Sequence, residues 1–485
     1  MLDNSKEPAT LSATVESLVR IADRHTAIER PVCHTGTKDS FRSQIDVSLE
    51  DPTGASPEEL ESALSDFLRL NPDVGRLGFH KQLYSGVNLP AVLGEWVATL
   101  SNSVMHTFKV GPVSNLMEAE VVNQLSRLVG FENGEGLMVS GASQANLVSM
   151  MLARHALFPD LKETGYAGRE LVAFVSDQAH YSMARAANVI GIGTRNLVAV
   201  RSDADGRMMP DALRHAIEAA IKDGKIPFYI GLTAGTTVLG AFDPVPKAVA
   251  LAREFGLWVH VDGAWGAPVL FSQSHADLLS GCDEADSFTW DAHKLLNVPL
   301  TAGIILTRQK GWLHAATSGG GENYLFHKEA KQEQPEPELG ELSIQSARRA
   351  DCVKVWSAWK AVGRDGFAQK VDHLMEQKAH FLAYLNDQPD FDIIAPAPYL
   401  NVLFQYRPQH NSIAEPDVSK LNVAICERLA ETGEAFIDYA SFSGRTGIRM
   451  ILAHSDISEL YLNDLCDRIR QVGDALEIEQ QKSLL

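Results

Sequence analysis

Between Gly136 and about Arg308 the chain alternates short β-favouring runs with amphipathic helical segments. The apolar runs fall at 171–176, 196–201, 228–233, 257–261, 287–290 and 303–307, with helical patterns between several of them, notably 210–220 and 246–254. Strands joined through helices run parallel, because the crossover returns the chain to the end of the sheet it started from. The alternation therefore predicts a large α/β domain built on a mostly parallel sheet. Such sheets collect their ligands beyond the carboxyl ends of the strands, so the residues after each strand are where chemistry is to be sought.

Five of those positions carry useful side chains. Met138-Val-Ser-Gly-Ala-Ser-Gln-Ala-Asn146 passes from a strand through a turn of small residues into a helix. The free N–H groups and positive dipole end there suit a phosphate, with Ser143 adding a hydroxyl; close packing alone would use the same residues. Val175-Ser-Asp-Gln-Ala-His180 sets a histidine beyond the next strand, and Thr233-Ala-Gly-Thr-Thr237 offers hydroxyls to a ligand or to its own turn. Trp258-Val-His-Val-Asp262 ends an apolar strand in an aspartate. Burying that carboxylate costs several kcal/mol unless donors or a cation meet it. Asp286-Ser-Phe-Thr-Trp-Asp-Ala-His-Lys294 closes on a lysine amine suited to carbonyl chemistry. Each signal is ambiguous singly. Ser143, His180, Thr237, Asp262 and Lys294 together supply a phosphate cradle, a ring stacker, an acid and a carbonyl trap, the set that pyridoxal phosphate requires. A nicotinamide site would need no lysine, and G-x-G-x-x-G is absent from this strand-turn.

The rest of the chain frames this domain. Its 485 residues exceed one compact core, and the boundaries are read as an N-terminal helical segment 1–90, a large domain 91–350 and a small α+β domain 351–485 with strands at 400–406 and 447–453. Ser56-Pro-Glu-Glu59 is a helix start, followed by Leu60, Leu64, Phe67 and Leu68 at helical spacing. That segment needs a partner surface, which a second subunit could supply. The formal net charge of -19, spread along the chain, disfavours nucleic acid and anionic membranes, and no apolar run reaches membrane-spanning length. Five dispersed cysteines without a CxxC pair predict neither a metal site nor a disulfide framework. With no basic and apolar leader at the start, the expected location is cytoplasmic. Residues 327–343 are nearly all polar and read as a surface loop or a lid over the site.

Taken in order, Ser-Gly-Ala-Ser143, Ser-Asp-Gln-Ala-His180, Thr-Ala-Gly-Thr-Thr237, His-Val-Asp262-Gly-Ala-Trp and Asp-Ala-His-Lys294 resemble the group II pyridoxal-phosphate amino-acid decarboxylases, from about residue 70 to the end. Gln82-Leu-Tyr-Ser-Gly86, the run 232–244 and Val353-Lys-Val-Trp-Ser-Ala-Trp359 are similar to the branch that decarboxylates glutamate, cysteine sulfinate and aspartate. The resemblance implies a type I aminotransferase-like fold: a seven-stranded, mostly parallel sheet with helices on both faces, in an obligate homodimer. It implies that Lys294 tethers the cofactor, His180 stacks on its ring and Asp262 meets the pyridine nitrogen. Ala142, Ser143 and His293 would hold the phosphate, with Thr237 and Ala264 lining the ring site.

Arg449, in Gly447-Ile-Arg-Met-Ile-Leu, matches the arginine that the acidic-substrate branch uses for the substrate carboxylate, and Gln82 and His106 would complete the substrate pocket. The expected reaction is α-decarboxylation of glutamate, aspartate or cysteine sulfinate. Decarboxylation of another amino acid such as 2,4-diaminobutyrate, decarboxylation coupled to oxidation, and a non-enzymatic cofactor-bearing scaffold are the alternatives. The family usually carries a tyrosine in the lid to deliver the final proton, and 327–343 holds none.

Overall fold

The computed structural model describes residues 10–27, 30–50, 54–318, 337–409 and 414–483. Seven strands, β1 (Glu135–Val139), β2 (Leu171–Ser176), β3 (Leu197–Val200), β4 (Ile226–Thr233), β5 (Trp258–Asp262), β6 (Ser287–Asp291) and β7 (Gly303–Thr307), form the large sheet. Their order is β1-β7-β6-β5-β4-β2-β3. Only β7 runs against its neighbours, so the sheet is mostly parallel, as the alternating pattern predicts. Helices Ala142–Leu157, Ser182–Val189, Pro210–Lys222 and Val245–Phe255 make successive crossovers.

Period-two alternation shows that both faces are covered. Val172, Phe174, Ile304 and Leu306 belong to one buried cluster, whereas Ala173, Val175 and Ile305 belong to another. A strand apolar on both sides is what a sheet sandwiched by helices requires.

The C-terminal part adds a four-stranded antiparallel sheet of β8 (Phe391–Ile393), β9 (Asn401–Tyr406), β10 (Asp438–Phe442) and β11 (Arg445–Ile451), in the order β10-β11-β9-β8. The helical stretch Cys352–Asp387 consists of two helices that meet at a kink, where Gly363 leaves the helical region with φ 69°. At the other end, Ser56 and Glu59 form the reciprocal capping box: the Glu59 N–H donates to the Ser56 hydroxyl (3.2 Å) and the Ser56 N–H to the Glu59 carboxylate (2.7 Å). Helix Pro57–Leu70 packs on Leu11–Ala27.

Strand register sets the site. Gly303 opens β7 opposite both Val139 at the end of β1 and Asp291 at the end of β6. It lies so close to the next turn that a Cβ would stand 2.4 Å from the Cα of Gly141. Gly141 in turn has φ 123°, a region that favours glycine. A methyl group at 303 must push this turn away, so Gly303→Ala is expected to cost about 1–3 kcal/mol of folding free energy. Urea unfolding measures this, and an unchanged midpoint would show that the turn can retreat freely.

Candidate active site

The carboxyl ends of β1, β2, β4, β5 and β6 enclose a cavity of roughly 300 Å³. Its walls include Ala142, Ser143, His180, Thr237, Asp262, Ala264, His293 and Lys294, eight side chains drawn from five separate strand ends. Neighbouring wall residues that the sequence did not single out are Leu83, Thr233, Trp265, Asp291, Leu300 and Thr301.

At the β1 end, helix Ala142–Leu157 starts at Gly141 with no side-chain cap. The orphan N–H groups of a first turn are an anion site in waiting. Beside them, His293 accepts from the Ala302 N–H at Nδ1 (3.0 Å). Burial, reinforced by the Lys294 charge, pushes this imidazole down to about 4, so at neutral pH it is uncharged and its proton sits on Nε2.

Asp262, at the tip of β5, is 5% exposed and still accepts two hydrogen bonds, from the Asn146 amide (2.7 Å) and the Ala264 N–H (3.1 Å). His180 lies across the cavity after β2. Its Nδ1 accepts from the Ser182 N–H (3.2 Å) and stands 2.9 Å from the Ser182 hydroxyl. Burial lowers the His180 pKa, opposed by Asp262 and assisted by Lys294. Thr237 is carried in by the turn after β4, whose Thr236 hydroxyl accepts from the Ala241 N–H (3.0 Å). The Asn401 amide of β9 donates to the Thr237 carbonyl (3.0 Å), tying the small domain to this wall.

Lys294 Nζ lies 3.6 Å from Asp291 Oδ2. Burial raises the Asp291 carboxyl to about 7 against the pull of Lys294, and its Oδ1 is buried without a partner. The stretch ending at Lys294 contains Asp291 in plain view, yet only the register with Gly303 turns it into the cavity floor. An amine, an anion-ready helix start with a hydroxyl and an imidazole N–H, a flat imidazole and an acceptor-only carboxylate make a donor set that fits a phosphorylated pyridine aldehyde.

Three expected substrate contacts are not on this wall. Gln82 precedes the lining residue Leu83 but does not itself line the cavity. His106 sits where its carbonyl accepts from the Gly340 N–H (2.9 Å), and its Nδ1 is buried without a partner. Arg449, on β11, is buried just behind the cavity, donating to the carbonyls of Thr237 (3.1 Å) and Lys81 (2.7 Å). Its Nε is buried and unpaired.

Of the expected lid, residues 327–336 lie outside the described residues. Leu339–Leu342 forms a docked turn, with Glu338 accepting from the Phe108 N–H (2.7 Å). The range 327–343 begins three residues after Tyr324, a phenol that likewise lies outside the described residues.

Fold and site together define a pyridoxal-phosphate enzyme built on a mostly parallel sheet. Residues 53–407 match the pyridoxal-dependent decarboxylase conserved domain, and the chain belongs to that family, with pyridoxal phosphate as its cofactor. It is 31% identical to the human cysteine sulfinic acid decarboxylase, over 93% of each chain. It is 34% identical to an L-aspartate decarboxylase of Metarhizium robertsii, covering 83% of this chain and 80% of the relative. A crystal structure of mouse CSAD superposes with a TM-score of 0.90 at 29% identity, over 96% of this chain and 99% of that one.

Behind this wall, His260 is wholly buried, and burial drives its pKa down to about 4 despite the Asp262 charge. Nitrogen-detected NMR of the imidazoles is expected to find this ring neutral throughout pH of about 5 to 8. An imidazolium signal from His260 in that interval would contradict its placement.

Proposed function

We propose that this protein removes the α-carboxyl group of an acidic L-amino acid, glutamate, aspartate or cysteine sulfinate, as carbon dioxide and releases the amine. The convergence of Lys294, Asp262, His180 and the uncapped start of helix Ala142–Leu157 on one cavity carries the reading, in a chain of the decarboxylase family. The related cysteine sulfinic acid and L-aspartate decarboxylases act on acidic amino acids, which supports an acidic substrate here.

When bound, pyridoxal phosphate supplies a carbonyl carbon and, with its ring nitrogen protonated, a sink for the electron pair that decarboxylation leaves behind. Lys294 Nζ would hold the cofactor covalently at that carbonyl carbon. Asp262, held as an acceptor by Asn146 and Ala264, would keep a proton on the ring nitrogen. His180 would stack on the ring, and the N–H groups of Ala142 and Ser143, the Ser143 hydroxyl and His293 Nε2–H would hold the phosphate. Thr237 and Ala264 would line the ring site. Arg449 would take the substrate's side-chain carboxylate through its buried, unpaired Nε, while its Nη1 holds the Thr237 carbonyl and its Nη2 the carbonyl of Lys81, the neighbour of Gln82. That Nη2 also stands 3.8 Å from the Asp438 carboxylate. His106 belongs to the outer part of this pocket.

A homodimer is part of the same reading. Helix Leu89–Ser101 buries its small residues, Ala91, Gly94 and Ala98, while Leu89, Leu93, Trp96 and Leu100 form one exposed apolar stripe. Apolar residues spaced at i, i+4, i+7 and i+11 occupy a single helix face, and a face of that size seeks a partner. Five buried, unpaired cysteines accord with a cytoplasmic location.

A panel of acidic, basic and neutral amino acids, assayed for carbon dioxide, amine and peroxide, tests the activity. Acidic substrates alone should yield carbon dioxide and amine in equal amounts. Lys294→Ala should abolish turnover, and Arg449→Met should raise KM about tenfold or more for loss of a charged contact. Peroxide as a stoichiometric product, or a basic substrate preferred over glutamate and aspartate, would overturn the reading. Light scattering should find a dimer that Leu93→Glu with Trp96→Glu converts to monomers; a monomeric wild type would remove the dimer from it.

A further inference from the structure

Behind the cavity wall lies a closed polar chain that contacts no expected substrate or phosphate position. It consists of Trp258, Ser287, His260, Thr289, Asn146 and Ser182, each nine-tenths or more buried. The hydrogen-bond roles in it are forced one after another. Asp262 offers only acceptor oxygens, so the atom of Asn146 that stands 2.7 Å from it is the amide nitrogen. The second hydrogen of that nitrogen goes to the Ser182 hydroxyl at 3.0 Å. The amide oxygen therefore faces His260 Nε2 (3.0 Å) and the Thr289 hydroxyl (3.1 Å), both of which must donate. At the far end Trp258 Nε1 can only donate, and it does so to Ser287 at 2.9 Å. The Ser287 hydroxyl then gives its own hydrogen to His260 Nδ1 at 2.8 Å. The Thr289 hydroxyl also stands 3.1 Å from His260 Nε2, so the proton on that nitrogen is shared between the Asn146 and Thr289 oxygens, and the orientation of the Asn146 amide stays the same.

Asn146 thus uses all four of its hydrogen-bonding positions. One amide hydrogen holds the carboxylate of Asp262. The other holds Ser182, whose hydroxyl lies 2.9 Å from His180 Nδ1. Asn146 also sits on helix Ala142–Leu157, one turn from the start that faces the cavity. We propose that Asn146 is the positioning residue of this site: its single amide group locks the ring-nitrogen partner Asp262, the ring-face partner His180 and the phosphate-binding helix start in one relative geometry. This rests on the cofactor-site reading above. The buried amide cannot rotate without placing its oxygen against the Asp262 carboxylate and its nitrogen against two donors. The spacing of the three cofactor-facing groups is thereby fixed before the cofactor arrives.

Equilibrium binding of pyridoxal phosphate to the apoprotein tests this, read by visible absorbance and by the circular dichroism that the bound cofactor acquires. Asn146→Ala should weaken binding roughly tenfold to a hundredfold, the effect of losing a hydrogen bond to a charged group, and alter the dichroism. Asn146→Asp should weaken it further, because it sets a second carboxylate against Asp262. Ser149→Ala is the control for mere loss of a buried hydrogen bond. Ser149 is as buried as Asn146 and lies on the same helix; its hydroxyl bonds the Tyr229 hydroxyl at 2.9 Å and the backbone carbonyl of Asn146 at 2.8 Å, but not the Asn146 side-chain amide, Asp262 or Ser182. It should lower thermal stability while leaving affinity and dichroism at wild-type values. Binding by Asn146→Ala within about twofold of wild type with an unchanged dichroic band would overturn the positioning role. So would a Ser149→Ala variant that shows the same optical change. If the Asn146 variants do not fold, Ser182→Ala removes the hydroxyl that links the Asn146 amide to His180, keeps the Ser182 backbone N–H on His180 Nδ1, and leaves the Asn146–Asp262 bond intact. A changed dichroic band in that variant supports the proposal, and an unchanged one overturns it. A wild-type apoprotein that binds no pyridoxal phosphate would instead sink the cofactor-site reading itself.

Discussion

A carboxylate buried at the tip of a strand is the constraint around which this protein is arranged. Asp262 ends β5 in the middle of a seven-stranded sheet, where solvation is lost and no cationic side chain forms a close ion pair with it among the described residues. The chain meets the charge with an amide hydrogen from one helix and a backbone N–H from the next turn. Both donors approach from behind or beside the carboxylate, which leaves its cavity side for a ligand. A cationic ring nitrogen is the natural complement to such a site.

The same logic runs outward from Asp262. Asn146 can serve it only because the Ala142–Leu157 helix starts immediately after β1, and that helix can start there only because Gly303 yields space to Gly141. His293 and Lys294 are brought to the same place by the turn between β6 and β7, where β7 reverses direction and Gly303 pairs with Asp291. Glycine contacts, strand reversal and a buried amide are therefore parts of a single solution to positioning an acid and an amine on either side of one small cavity. The small domain contributes as well: Asn401 fixes the Thr237 carbonyl while accepting from the Trp265 indole N–H (2.8 Å).

Much of this was legible in the residues. A period-two apolar run must become a buried strand, and a polar residue after it must emerge at one sheet edge, so Ser143, His180, Thr237, Asp262 and Lys294 could be picked out without coordinates. The strand boundaries at 171–176 and 303–307 coincide with those observed, because flanking turns punctuate both. Gly363 punctuates the stretch Cys352–Asp387 in the same way, and the chain divides there into two helices. Asn146 and Asp291 gave no signal. An asparagine inside a helix and an aspartate inside a strand are ordinary by type, and only their neighbours in space give them a task.

What the sequence by itself determined was the kit of chemical groups and the edge on which most of them stand, since both follow from local periodicity and from fixed offsets beyond each strand. Which groups face one another was decided by tertiary structure alone. The strand order β1-β7-β6-β5-β4-β2-β3 sets segments more than a hundred residues apart side by side, and nothing local encodes that adjacency. The same holds for Gln82, His106 and Arg449, which come from separate elements outside the main sheet. Arg449 reaches the back of the Thr237 wall through the antiparallel pairing of β11 with β9 and β10, a long-range register that no short stretch of sequence specifies.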